Sequence, residues 1–164
     1  MIDGMVVREM LRRCCWDKET YGRCLDLYMN GYHGQVKQDQ KNEETLRLLI
    51  THYKYSGFFS ARILDHVNQN TFWILEAEGV LPQFKALMES MPENPFSILT
   101  NHDCFRCHPN YGNDLRKQYN QILSELAKSD ILSFIVSQIL DSKHTVNKIG
   151  DLSAAILETN YSLS

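Results

Sequence analysis

Between Pro95 and Pro109 the chain leaves the three-to-four apolar spacing that governs most of its length. Phe96, Ile98 and Leu99 form a short apolar run that reads as a buried strand, reaching a polar tip at Asn101-His102 and returning through Cys104-Phe105. Pro95 stops a helix before this run and Pro109 blocks one after it. The stretch therefore predicts a β-hairpin that the surrounding helices must carry. Asp103 falls just past the tip with His102 beside it, and a carboxylate fixed on a rigid hairpin can hold a divalent cation against phosphate. Taken as a bare dipeptide, His-Asp is also ordinary turn chemistry.

The bulk numbers fit one globular domain. A length of 164 residues with 43% hydrophobic content supports a real core and excludes a disordered tail. A formal charge of -3 does not mark a free-standing nucleic-acid binder, so any basic surface must be local. No run approaches the roughly 18 apolar residues of a membrane span, and the N-terminus lacks an apolar signal core. Five cysteines, an odd number with Cys14 and Cys15 adjacent, make a poor disulfide framework. These features predict a soluble, intracellular chain with reduced thiols and no membrane partner.

Helical spacing organises the rest. Asp3 is placed to cap a helix through Val6, Val7, Met10, Leu11, Cys14 and Cys15, with Arg8, Glu9, Arg12 and Arg13 on a solvated face. Asp17 offers a second cap, for a helix through Tyr21, Leu25 and Tyr28 that ends at Asn30-Gly31 or His33-Gly34. After a polar stretch, a helix through Leu46, Leu49, Ile50 and Tyr53 stops at Ser56-Gly57. Further helices are predicted over Ser60 to Val67 and Leu81 to Met88. Beyond the hairpin, Asp114 leads a helix burying Leu115, Tyr119, Ile122, Leu123 and Leu126. Ser129 or Asp130 caps another through Leu132, Ile135, Val136, Ile139 and Leu140, and Asp151 caps a short last helix.

His102-Asp103-Cys104-Phe105 resembles the His-Asp-(Ser/Cys)-aromatic signature of single-subunit, phage-type DNA-directed RNA polymerases, a family that includes the mitochondrial enzyme. Leu115, Ile122-Leu123 and Ser129-Asp130-Ile131-Leu132 fall at the family's downstream spacing. The ending Ile156 to Ser164 resembles the family's short helix and aromatic-small-apolar-small tail. Ile2-Asp3-Gly4 is similar to the tail of a His-Ser-x-Asp-Gly segment, but the His is missing and Met1 stands in place of the Ser.

The resemblance implies a mainly α fold with one β-hairpin, part of a polymerase palm with attached helices. Residues 1–15 would form the helix leading to the palm, 16–94 a helical insertion, and 95–164 the catalytic hairpin, helices and tail. It also implies template-directed RNA synthesis by two-metal nucleotidyl transfer. Asp103 would be a Mg²⁺ ligand and His102 its catalytic neighbour, with Tyr161, Ser162, Leu163 and Ser164 near the active site. The chain would be an incomplete C-terminal piece, inactive alone. Its partners would be the remaining N-terminal part or subunit of the polymerase, a DNA template, the RNA product and nucleoside triphosphates, and its place the cytoplasm of a bacterial or phage-infected cell, with a mitochondrial matrix as the lesser alternative.

Two rival readings use the same residues. Cys104-Phe105-Arg106-Cys107-His108 spells the C-x-x-C-H of covalent haem attachment, but a strand context and Pro109 oppose the helix that haem attachment uses. The other is a non-catalytic helical interaction module that binds zinc through Cys104, Cys107 and His108, although a structural zinc site wants a second Cys or His pair.

Overall fold

Side-chain caps and left-handed glycines set several of the helix boundaries. The computed structural model describes residues 2–32, 37–102 and 104–159. Among them, helices α1 (Ile2–Cys14), α2 (Lys18–Asn30), α3 (Gln40–Ser56), α4 (Phe72–Ala77) and α5 (Leu81–Ser90) precede the hairpin. Strands β1 (Ile98–Asn101) and β2 (Cys104–Cys107) pair antiparallel, and α6 (Gly112–Lys128), α7 (Ile131–Ile139) and α8 (Ser153–Glu158) follow. The expected class, mainly helical with one β-hairpin, is the one observed. Among the described residues no helix is long and apolar enough to cross a membrane.

Asp17 caps α2 by accepting the Thr20 amide at 2.7 Å, and Asp39 caps α3 through Asn42. Gly57 ends α3 with φ +73°, a left-handed conformation that costs glycine nothing. The Ser60–Val67 segment is tighter than expected: Ala61–His66 is a 3₁₀ helix whose first turn Ser60 caps through the Arg62 amide. Asp3 does not cap α1 but lies inside its first turn, where its charge favours the helix dipole.

Two apolar cores result. The larger takes Leu27, Leu46, Ile50, Phe72, Leu75 and Phe84 from α2 to α5. The second joins Val6, Met10 and Cys14 of α1 to Phe58, Phe96, Ile98 of β1 and Ile122 of α6. At roughly 1.5–3 kcal/mol for each large side chain fully buried, the second cluster is enough to fix the hairpin's position.

Three expectations about helix faces need correction. Glu9 and Arg13 are not solvated: they are 1% and 0% exposed, because each meets an opposite charge inside the fold. In α2 the buried residues are Cys24 and Leu27, while Leu25 is exposed. In α6, Ile122 is buried as expected, but Gln118, Asn120 and Ser124 are buried too, since α8 packs along that side. Ser124 Oγ donates to the Ser153 carbonyl at 2.9 Å and Asn120 Nδ2 to that of Thr159 at 3.0 Å.

Candidate functional site

The hairpin is built by alternation. Ile98 pairs with Cys107 and Thr100 with Phe105, so these four share one face of the ribbon, while Leu99, Asn101, Cys104 and Arg106 share the other. Ile98 is buried, and Phe105 and Cys107 are half-buried against the second core, whereas the opposite face is exposed. Phe105 lies against Tyr119 of α6 with ring centroids 5.6 Å apart.

The base of the hairpin is fastened more firmly than its tip. Phe96 N donates to Cys14 O at 2.8 Å, tying the approach to β1 to the last turn of α1. Phe96 and Tyr111 stack with centroids 4.7 Å apart and planes 3° from parallel, locking the approach to the exit. Asn101 pairs with Cys104, so residues 102 and 103 make the connection. His102 is exposed with φ +55°, the left-handed conformation a two-residue hairpin connection asks for. Asp103, the expected metal ligand, lies outside the described residues, as do Tyr161, Ser162, Leu163 and Ser164.

Beneath the hairpin, α1 and α6 are clamped by charge. Arg13 sends Nη1 and Nη2 to the two carboxylate oxygens of Glu125, at 3.1 and 2.6 Å. Its Nε lies 3.5 Å from Glu9 Oε2, and its guanidinium carbon sits 6.0 Å from the centre of the Phe58 ring. Glu9 in turn accepts from the Ser60 hydroxyl and, at 2.9 Å, from the Ala61 amide. A buried charge persists when paired and hydrogen-bonded, and both conditions hold here. Periodicity does not reveal this clamp; Arg13 and Glu125 meet across 112 positions.

The C-x-x-C-H spacing does not bring its thiols together. Cys104 and Cys107 are three apart on a strand and point to opposite faces, Cys104 exposed and Cys107 inward. Burial raises the Cys107 thiol above its ordinary value, and the nearby Asp114 carboxylate adds to the shift. Cys14 is pushed up to about 12, chiefly by burial. His108 caps the short turn Pro109–Tyr111 by accepting from the Asn110 amide through Nδ1, which occupies one ring nitrogen. Among the described residues no group of three His, Cys, Asp or Glu side chains converges as a metal site.

An exposed tip over a rigid base can present a charged group to a ligand while excluding water from its support. Arg106 on the outward face adds a cation beside that tip. No protein-family model matches this chain, and a search of curated proteins finds no match.

Proposed function

We propose that this chain is the C-terminal catalytic piece of a single-subunit-type DNA-directed RNA polymerase, and that the hairpin tip is its contribution to the active site. One observation carries the reading: His102, which precedes Asp103 in the sequence, follows β1 at the tip of a hairpin whose base is tied to α1 and whose inner face packs on α6. That is the support a metal-holding carboxylate needs, because a displacement of about 1 Å can cost a hundredfold in rate. The His-Asp-Cys-aromatic signature supplies the sequence side of the argument.

Magnesium, when bound, would supply positive charge that stabilises the attacking and leaving oxygens of nucleotidyl transfer. Asp103 would hold it here. The remaining carboxylates would come from the rest of the polymerase, since a divalent cation of this kind relies on several oxygen ligands. His102, exposed at the first connecting position, would orient the RNA end or a phosphate by hydrogen bonding. The template, product and nucleoside triphosphates would then meet the tip from its exposed side.

The test is Asp103→Asn in the assembled enzyme, which conserves shape and removes charge. RNA synthesis should fall about a thousandfold or more while the fold is retained, since stabilisation of developing charge is commonly the largest catalytic contribution. Near-normal elongation by the variant would end the assignment.

A second reading, a non-catalytic helical interaction module, draws on α7. Its sequence Ile-Leu-Ser-Phe-Ile-Val-Ser-Gln-Ile is strongly apolar, yet none of its residues is fully buried. Leu132, Ile139 and Leu140 are at least half exposed. If Asp103→Asn retains synthesis while Leu132→Asp and Ile139→Asp on α7 abolish association with a partner, this second reading replaces the first.

A further inference from the structure

On the outward face of the hairpin, the alternation that exposes Leu99 and Arg106 continues past the strand ends to Ser97 and His108, which are exposed too. These four residues, with Pro95 and Tyr111, line an open cavity of about 520 Å³ at the hairpin's base. Among the described residues no carboxylate belongs to this lining; Glu93 and Asp114, on either side of the hairpin in sequence, line a different cavity at the end of α5.

What the cavity offers is donors. The Arg106 guanidinium has no ion-pair or hydrogen-bond partner among the described residues, which leaves its planar fork of N–H groups for a ligand. His108 Nδ1 accepts from the Asn110 amide at 3.4 Å, so the neutral ring carries its proton on Nε2 and donates there. Ser97 adds a hydroxyl. The remaining walls are apolar or aromatic: Leu99 is 74% exposed, and Tyr111 stacks on Phe96 with the His108 ring 6.5 Å from its own. A permanent cation, an imidazole N–H and uncovered apolar surface suit a ligand with an anionic head and a ring-shaped body. A carboxylate uses both of its oxygens on a guanidinium fork, whereas a phosphate ester keeps oxygen for the imidazole and the hydroxyl as well. The sugar or base that such an ester carries can cover Leu99 and Pro95.

We propose that this cavity binds the phosphate of a nucleotide, with Arg106 and His108 donating to its oxygens and Leu99 meeting the sugar or base. The phosphate comes either from a free mononucleotide or from a nucleic-acid strand. The site rests on the outward face of the hairpin and not on the polymerase reading, and its test involves no RNA synthesis, so either can fail without the other.

The experiment is a titration of the purified chain followed by NMR of the Leu99, Arg106 and His108 backbone amides, with uridine monophosphate, uridine, N-acetylaspartate and an octamer of uridine. Uridine monophosphate or the octamer should give a saturable shift in the millimolar range or tighter, with uridine at least about tenfold weaker because it lacks the charge-assisted bonds. Tighter binding of the octamer assigns the phosphate to a strand, and equal or tighter binding of the mononucleotide assigns it to a free nucleotide. Arg106→Gln lies on the exposed face and, checked for folding by circular dichroism, should weaken binding about tenfold or more. Arg62→Gln removes the same charge from an exposed position outside the cavity lining and should leave affinity unchanged within about twofold. No saturable shift, uridine or N-acetylaspartate binding as tightly as the mononucleotide, or equal weakening by the two arginine variants overturns the proposal.

Discussion

Arg13 of α1 and Glu125 of α6 face each other with both guanidinium Nη atoms on both carboxylate oxygens, the closer pair 2.6 Å apart. The arginine is completely buried and the glutamate partly open to solvent. The pair holds together the two helices on which the hairpin rests. Arg13→Met should therefore take the buried cation from beside Glu9, leaving it the hydroxyl and amide donors and the partly exposed Arg12 at 3.2 Å, and cost about 3 kcal/mol of folding stability. Urea unfolding measures it, and adding Glu9→Gln to the same variant should return part of the loss. A single-variant cost near zero would mean that the clamp is not made in solution.

Helix caps predict the acid limb of the stability curve. Asp17 is held below the ordinary carboxylate value first by the Thr20 amide, Asp39 first by the Asn42 side chain, and Asp151 by Ser153. A carboxylate with a lowered native pKa contributes stability that is present above its unfolded value, near 3.8, and lost as pH falls through the lower native one. Replacing all three by Asn keeps a capping oxygen but removes the titration. Thermal midpoints measured from pH 5 down to pH 2 should fall less steeply in the triple variant, and parallel curves would refute this.

Thiol reactivity should sort the cysteines by position. Cys15 and Cys104 are exposed and should label within the dead time of a disulfide-exchange reagent. Cys14 and Cys24, buried and each raised to about 12, should label only on unfolding, and Cys107 should lie between. Mass spectrometry of partly labelled chain reads the order. Rapid labelling of Cys14 would show that α1 does not close over the hairpin's base.

Gly57 should resist substitution. Its φ of +73° suits glycine, and a Cβ there would lie 3.6 Å from Ser129 Cα, where the chain enters α7. Asp130 N donates to Ser56 O at 2.6 Å across this junction. Gly57→Ala should cost about 1–2 kcal/mol, chiefly from the left-handed backbone. A stability equal to that of the parent protein would show that the junction relaxes.

Caps that act within one turn were legible, as with Asp17 and Gly31 around α2 and Gly57 after α3, whereas Asp39, which caps α3 two residues earlier than the expected opening at Asn42-Glu43-Glu44, was hidden in a polar stretch. The hairpin was legible for a similar reason, its apolar alternation lying between two prolines. What sequence reading missed are contacts made by distant partners. Glu9 and Arg13 look like a solvated face until Ser60 and Glu125 arrive from elsewhere, and Asn120 and Ser124 look exposed until α8 lies against them. One signal was present: Lys117, Asn120 and Ser124 repeat a small or polar residue every three to four positions, a second stripe beside the apolar one. The C-x-x-C-H string misled in the other direction, because proximity in sequence on a strand alternates faces and separates Cys104 from Cys107.

The 112 positions between Arg13 and Glu125 also set a timetable for synthesis. A ribosome adding about 5–20 residues per second needs roughly 6 to 22 s to deliver Glu125 after Arg13. Until Ile122 follows, Val6, Met10 and Cys14 meet only an incomplete second core, while α2 to α5 can already close the first. α1, made before α2 to α5, is thus seated after them, and the hairpin gains a firm base only once α6 has been made.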